Sequence, residues 1–271
     1  MTTAVSRRAF VSASIASGFA LAVQPVSADT ITTDANGLVA KDVKIGDMPA
    51  YHAMPEGKGP FPLVIVIQEV FGVHEHIKDM CRRFAKAGYF AVAPELYYRQ
   101  GDTKTSKDFG EIMKVVEKVG DEQVTKDLDA TLKWAQGQGK VDGKRIACIG
   151  WCWGGRQSWL YAAHADLKAA AAFYGPISNA PSALKPKSVL DVAGKLKTPV
   201  IAFYAGKDGH IPVSHVELLK KELATGKSGS EVNVYADADH GFNADYRPTY
   251  NKAAAEDSWK KTLEWFKKNG V

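Results

Sequence analysis

Cysteine is scarce in this chain, and the few cysteines form no redox or metal-binding pattern. The 271 residues include three cysteines, Cys81, Cys148 and Cys152. An odd number leaves at least one thiol unpaired, and no spacing is the C-x-x-C of a redox pair. A bridge between Cys148 and Cys152 would have to join a strand to the turn that follows it. We therefore predict no disulfide and no bound metal.

A basic block, an internal repeat, a low-complexity segment and an obvious linker are also absent. The formal net charge is +5, but it is not concentrated in a stretch of the kind that binds nucleic acid. With 45% apolar residues, the chain is long enough for one large domain with a substantial core. We predict a single domain over residues 29–271 with no nucleic-acid partner.

The N-terminal segment lacks a run that is apolar enough to span a membrane. Arg7 and Arg8 precede a weakly apolar stretch, residues 11–23, which three serines and a glycine interrupt, and residues 26–28 then offer small side chains to a signal peptidase. This pattern resembles a twin-arginine export signal. The alternative is a membrane anchor, but the polar interruptions argue against it. We predict that residues 1–28 are removed and that the mature protein is periplasmic or secreted.

Short apolar runs alternate with amphipathic segments along the chain. Buried strands are predicted at residues 63–67, 89–93, 144–149, 167–174, 199–205 and 231–235. Helices are predicted at residues 76–87, 109–119, 121–136, 156–163, 213–224 and 251–268. Two alternating stretches near the N-terminus predict an antiparallel pair, and polar residues 100–122 predict an excursion or a lid. The order predicts an α/β fold, with a doubly wound, mostly parallel sheet between two layers of helices.

One strand turns directly into a helix through the sequence Gly-Trp-Cys-Trp-Gly-Gly, residues 150–155. Glycines two positions before and after Cys152 are typical of a nucleophile elbow, a turn that exposes its central side chain at a helix N-terminus. The free N–H groups and the helix dipole favour a thiolate there. The alternative is that Cys152 is a small buried residue in a phosphate-binding turn. The spacing, however, fits neither G-x-G-x-x-G nor a P-loop.

Chemically useful residues follow three further predicted strands. Because chemistry collects at the carboxyl ends of strands in such a sheet, we expect Glu69, Cys152, Asp208 and His240 to lie close together. The order nucleophile, acid, histidine is that of the α/β-hydrolase triad. His240 would be the general base, and Asp208 would orient its imidazole. For Asp208, the alternative is an ordinary turn residue.

Other residues compete for the same roles or complete the site. His210 and His215 are alternative bases, although neither closes a strand, and Asp237 and Asp239 are alternative acids that lie too near His240 in the chain to bridge strands. Two backbone N–H groups should form the oxyanion hole. We predict that they belong to Val70 and Trp153.

Five motifs in this order carry a resemblance to a known family. They are residues 68–72 (QEVFG), 94–97 (PELY), 150–155 (G-x-C-x-G-G), 206–208 (G-x-D) and 240–242 (HGF). Together they resemble the dienelactone hydrolase family of the α/β-hydrolase superfamily, from about residue 40 to residue 268. The resemblance implies a hydrolase with a triad of Cys152, His240 and Asp208. It also implies that Glu69 sits beside the thiol and keeps it protonated until substrate arrives, which would protect it from oxidation.

The resemblance also implies a substrate, an unsaturated lactone that carries a carboxylate held by arginines. Arg247 is the best candidate for that contact, and its alternative is a surface arginine. Residues 100–122 contain lysines but no second arginine, and the export signal also departs from a cytoplasmic pathway for lactone breakdown. Trp151 and Trp153 would line the site and suit a flat acyl group.

The sequence therefore leaves three hypotheses for the function of the protein. The first is a monomeric, exported thiol-dependent esterase or lactonase that acts on a small molecule without metal or organic cofactor. The second is a ligand-binding protein that uses a hydrolase scaffold without catalysis, although the presence of every catalytic residue argues against it. The third is a thiol redox protein that uses Cys152, for which no second cysteine is convincingly placed as a resolving thiol.

Overall fold

A computed structural model describes residues 30–106 and 108–271. The predicted signal peptide, residues 1–28, lies outside the described residues. Within the described ranges, no helix combines the length and the apolar character that crossing a membrane requires.

Eight strands form one sheet in the order β1-β2-β4-β3-β5-β6-β7-β8. Strands β1 to β4 are Leu38–Ile45, Met48–Pro55, Phe61–Ile67 and Phe90–Pro94, and strands β5 to β8 are Val141–Trp151, Ala169–Phe173, Val200–Ala205 and Glu231–Tyr235. The predicted antiparallel hairpin, β1 and β2, pairs antiparallel with β4. From β4 to β8 all neighbouring strands are parallel. This mostly parallel sheet confirms the predicted fold class.

The described helices flank this sheet. They are α1 (Glu75–Lys86), α2 (Phe109–Val116), α3 (Asp121–Gln136), α4 (Trp153–His164), α5 (Leu190–Ala193), α6 (Val213–Ala224) and α7 (Lys252–Lys268). Helices α1 and α7 pack together through Phe84, whose ring lies 4.7 Å from that of Trp259 and 6.1 Å from that of Phe266. In a second set of helices, α3 contacts α4, α4 contacts α5, and α5 contacts α6. The excursion predicted at residues 100–122 contains α2 and the start of α3.

The central strands are short, apolar and fully covered. Residues 63–67 of β3 have no exposed surface, as expected of a parallel strand with helices on both faces. Strand β6 contributes a run of alanines, residues 169–172, and these small side chains allow α4 to approach closely. Gly155 of α4 has no room for a side chain, because a Cβ there would lie 2.5 Å from the Phe173 carbonyl oxygen. Because β3 and β5 to β8 run parallel, their carboxyl ends lie at one edge of the sheet.

Candidate active site

Cys152 occupies the turn between β5 and α4 in a strained conformation. Its φ is +53° and its ψ is −120°, in a region that non-glycine residues rarely adopt. The flanking glycines are sterically required, since a Cβ at Gly150 would overlap the Gly154 carbonyl and a Cβ at Gly154 would overlap the carbonyls of Ile67 and Gln68. The turn therefore has the predicted elbow geometry, with Cys152 at the N-terminus of α4.

His240 and Asp208 meet across two strand ends. The His240 Nδ1 atom lies 2.8 Å from Asp208 Oδ2. The other carboxylate oxygen of Asp208 accepts the backbone N–H groups of His210 (2.8 Å) and Ile211 (3.1 Å). Asp208 is therefore fixed by its own turn while it holds the imidazole. The competing acid Asp237 instead pairs with Lys207 at the surface.

The electrostatics of His240 link it to Cys152. Burial lowers the pKa of His240, but the negative sulfur and hydrogen bond of Cys152, together with Asp208, outweigh burial and raise the pKa to about 10. The His240 imidazole therefore stays protonated above neutral pH, beside the Cys152 sulfur. His210, the alternative base, lies edge-on to the His240 ring at 5.4 Å between centroids. The structure thus brings Cys152, His240 and Asp208 together.

Glu69 lies fully buried at the end of β3 with three side-chain partners. Its Oε2 atom accepts the Tyr246 hydroxyl at 2.7 Å and the His74 Nε2 atom at 3.3 Å, and its Oε1 atom accepts Arg247 Nη2 at 3.2 Å. Burial would raise the pKa of Glu69, but Arg247 and the hydrogen bond with His74 hold it well below the ordinary value. Glu69 is therefore ionised with a donor on each of its oxygens, and the hydrogen bond of Cys152 is made with His240.

Arg247 is placed differently from a surface arginine. It is 6% exposed, pairs with Glu69, and lies over the Phe71 ring with 5.0 Å between the guanidinium carbon and the ring centroid. The alternative of an ordinary surface position is wrong. Arg247 does lie in the predicted site, but Glu69 occupies its guanidinium in this structure.

Val70 and Trp153 flank the nucleophile from two elements. Val70 lies in the turn after β3, and Trp153 is the first residue of α4, so its N–H has no acceptor inside the helix. The overlap that excludes a side chain at Gly154 also shows that α4 begins directly against the end of β3. Both N–H groups therefore belong to the same small region beside Cys152, as an oxyanion hole requires.

The prediction that both tryptophans line the site is wrong for Trp151. Its side chain has no exposed surface, and its indole N–H donates to Asn243 Oδ1 at 2.9 Å. Trp151 thus contacts Asn243 in the loop that carries His240. Trp153 packs at the site, with its ring 4.9 Å from that of Tyr97.

Three site residues were not identified from the sequence. His74 and Tyr246 bind Glu69, and Tyr174 packs its ring 4.9 Å from that of His240. Tyr174 has φ +35°, a strained value at the carboxyl end of β6. Its position as the last residue of a predicted strand was a usable signal, whereas nothing in the sequence pairs His74 or Tyr246 with Glu69.

The other two cysteines lie apart from this chemistry. All three described cysteines are unpaired, and Cys81 and Cys148 have no exposed surface. Burial raises the pKa of Cys148 to about 12 and raises that of Cys81 further. Neither thiol is in a position to ionise readily or to resolve an oxidised Cys152.

Comparison with known proteins agrees with this geometry. The model of the dienelactone hydrolase family matches residues 48–270. A Methylorubrum extorquens protein named "Putative carboxymethylenebutenolidase" is 52% identical over 99% of this chain and 95% of its own length. An Escherichia coli K12 protein of the same name is 48% identical over 94% of this chain and 96% of its own length.

A solved structure gives the same result in three dimensions. The crystal structure titled "Putative Dienelactone Hydrolase" from Klebsiella pneumoniae has a TM-score of 0.82 and 47% identity, and the match covers 85% of this chain and 98% of that one. Fold, motif order and sequence similarity therefore agree. The chain belongs to the dienelactone hydrolase family, and it is an α/β hydrolase that acts on ester or lactone bonds.

Proposed function

We propose that this protein hydrolyses small carboxylic esters or lactones with Cys152 as nucleophile, His240 as general acid and base, and Asp208 as the residue that orients His240. The observation that carries the proposal is the continuous contact from Asp208 through His240 to Cys152 at a strained elbow. No metal or organic cofactor takes part in the proposed reaction.

In the first step the Cys152 thiolate attacks the acyl carbonyl and forms a C–S bond. The N–H groups of Val70 and Trp153 hold the resulting oxyanion. When the tetrahedral intermediate collapses, the ester C–O bond breaks and the leaving alkoxide takes the proton of the His240 imidazolium. A water molecule then attacks the thioester while His240 accepts its proton. Collapse of this second intermediate releases the acid and restores Cys152.

The finer substrate in this proposal is a lactone with its own carboxylate, which gives carboxymethylenebutenolidase activity. Arg247 is the buried cation of the site and suits a carboxylate. Because Glu69 already binds Arg247 at 3.2 Å, a substrate carboxylate must displace or share that contact. A lactone without a carboxylate need not do so, and comparison of the two substrates therefore tests the role of Arg247.

The decisive experiment compares the mature wild type with Cys152→Ala on p-nitrophenyl acetate and on an enol lactone that carries a carboxylate. We expect turnover of both substrates by the wild type and a loss of at least about 10⁴-fold in the variant. Turnover of the simple ester alone would support the triad and reject the lactone. Equal inertness of both proteins would favour a binding protein, and a reversible Cys152 disulfide at low peroxide would favour redox chemistry.

We further propose that the mature protein is an exported monomer. The support is the paired Arg7 and Arg8 and the weakly apolar stretch behind them. Cell fractionation of the full chain and of Arg7→Lys/Arg8→Lys should give periplasmic and cytoplasmic protein respectively. Equal export of both forms would reject the twin-arginine route, and light scattering of the mature protein tests the monomer.

A further inference from the structure

Glu95, in the PELY motif, is a buried carboxylate that the proposed reaction does not use. It follows β4 and is 5% exposed. Its Oε2 atom accepts the backbone N–H of Val73 at 2.9 Å and the ammonium of Lys104 at 2.9 Å. The first contact reaches the loop between β3 and α1, which also carries Val70. The second reaches the segment that follows the PELY motif.

The loop between β3 and α1 is packed directly onto this carboxylate. Gly72 has φ +73°, and a Cβ there would lie 2.9 Å and 3.0 Å from the two Glu95 carboxylate oxygens and 3.0 Å from Thr103 Oγ1. The backbone at Gly72 therefore lies against Glu95 with no room for a side chain. Because Gly72 and Val73 follow Val70 so closely, the position of Glu95 restricts the direction of the Val70 N–H.

Two further hydrogen bonds join the same two strand exits. The Leu96 N–H donates to Gln68 Oε1 at 3.2 Å, and the Tyr97 hydroxyl donates to the Glu69 carbonyl at 3.4 Å. Residues that follow β4 therefore form hydrogen bonds with the loop that follows β3 on both sides of Val70. Glu95 is the member of this set that contributes a charge.

A charged side chain at this buried position lowers stability more than an apolar side chain of similar size would. A buried carboxylate is strongly disfavoured unless a cation and hydrogen bonds compensate it. Lys104 supplies that cation, and its side chain remains 36% exposed. Burial disfavours the charge of Lys104, but the hydrogen bond and attraction from Glu95 outweigh it and raise the pKa of Lys104. The ion pair thus joins a partly exposed lysine to the buried loop that carries Val70.

We propose that Glu95 is a positioning residue for the reaction, which aims the Val70 N–H into the oxyanion hole, and that Lys104 holds Glu95 in place. The proposal rests on the proposed function, because an oxyanion hole matters only if an acyl carbonyl is attacked. It predicts that damage to this ion pair slows the formation of the tetrahedral intermediate and leaves the thiolate itself intact.

The test uses two reactions of Cys152 that differ in their need for an oxyanion hole. Hydrolysis of p-nitrophenyl acetate forms an oxyanion, whereas alkylation by iodoacetamide does not. For Glu95→Leu we expect kcat to fall about 10- to 100-fold with little change in KM, while the alkylation rate stays within about twofold. Glu95→Gln should recover part of kcat, because a glutamine oxygen still accepts the Val73 N–H.

Lys104→Met provides a second variant that alters only a partly exposed side chain. We expect a smaller loss in kcat than in Glu95→Leu, again with unchanged alkylation. The matched control is Lys126→Met, which removes an exposed ion pair with Glu122 at 2.6 Å and should change neither rate.

Two outcomes overturn the inference. Equal losses in hydrolysis and alkylation would mean a general disturbance of the site, and wild-type kcat in both Glu95→Leu and Lys104→Met would mean that Glu95 does not position the loop. If Glu95→Leu does not fold, Glu95→Gln and Lys104→Met decide. Activity that survives in Cys152→Ala would refute the proposed function instead, before these variants are compared.

Discussion

Two buried clusters of charged residues lie at the same edge of the sheet, and their hydrogen bonds are arranged differently. In the triad cluster, Cys152, His240 and Asp208, one charged ring stands between a reactive sulfur and a carboxylate. In the Glu69 cluster, Glu69, His74, Tyr246 and Arg247, three donors saturate one carboxylate. The first arrangement lets His240 give and take a proton at the reacting atoms while Asp208 stays ionised and stabilises the charged ring. The second compensates the charge of Glu69 where it lies. It suits a structural role, or a site at which another carboxylate replaces Glu69 as the partner of Arg247.

The largest expected effect in this comparison comes from removing the carboxylate of the triad cluster. Asp208→Asn should lower kcat on p-nitrophenyl acetate about 10³- to 10⁴-fold, because the imidazole loses the partner that fixes its orientation and stabilises its charge. Steady-state kinetics measure this. The control is Asp237→Asn, an exposed acid paired with Lys207 at 3.2 Å, which should retain wild-type kcat. A comparable loss in both variants would remove Asp208 from its assigned role.

The next effect concerns the stability of the Glu69 cluster. Arg247→Met leaves a buried carboxylate without its cation, so the free energy of unfolding should fall by about 3–5 kcal/mol. Urea denaturation measures it, and Lys220→Met, which breaks an exposed pair with Glu217, should cost less than about 1 kcal/mol. Adding Glu69→Gln to Arg247→Met should restore part of the stability. If the double variant is no better than the single one, the two residues are not coupled.

A smaller effect tests the third donor of that cluster. Tyr246→Phe removes the hydroxyl that donates to Glu69 Oε2 at 2.7 Å. Because hydrogen bonds to charged groups contribute more than neutral ones, the free energy of unfolding should fall by about 1.5–3 kcal/mol. Tyr250→Phe is a suitable control, since burial and nearby charges, rather than a hydrogen bond, raise the pKa of its hydroxyl. Equal stability of the wild type and Tyr246→Phe would show that the Tyr246 bond adds nothing to the cluster.

The last comparison follows the stability that each cluster contributes as the pH changes. The folded pKa of His240 is raised from 6.5 to about 10, so its stabilisation is complete below pH 6.5 and is lost as pH rises through 10. The folded pKa of Glu69 is depressed below 4.5, so its stabilisation is present above pH 4.5 and is lost as pH falls further.

Urea titrations of the wild type, His240→Gln and Glu69→Gln from pH 3 to pH 10 measure this difference. The advantage of the wild type over His240→Gln should shrink towards the alkaline end, and its advantage over Glu69→Gln should shrink towards the acid end. Differences that do not vary with pH would refute both assignments.

The fold and the triad cluster were predictable because local sequence determines them. An elbow needs glycines at fixed positions around its nucleophile, and strand ends in a parallel sheet meet at one edge whatever the loops do. Cys152 directly follows β5, and Asp208 and His240 lie in the loops that follow β7 and β8, so the order of the strands was enough to place them at one edge of the sheet.

The Glu69 cluster was only half predictable, since its partners come from loops. His74 and Tyr246 reach Glu69 because two irregular segments pack against each other, and no periodicity encodes that contact. The prediction for Trp151 was wrong for a related reason, because its partner also comes from a loop. The sequence placed it next to Cys152, but its side chain is fully buried and its indole donates to Asn243, a residue of the loop after β8.

The burial of Cys81 and Cys148 gives the protein a built-in reporter of its own state. Of its three cysteines, Cys152 alone retains some exposure, at 6%. A fluorogenic maleimide should therefore count one thiol per folded chain and three per unfolded chain. The same dye would titrate the active sites in a preparation at low temperature and follow its melting on heating, with no engineered label.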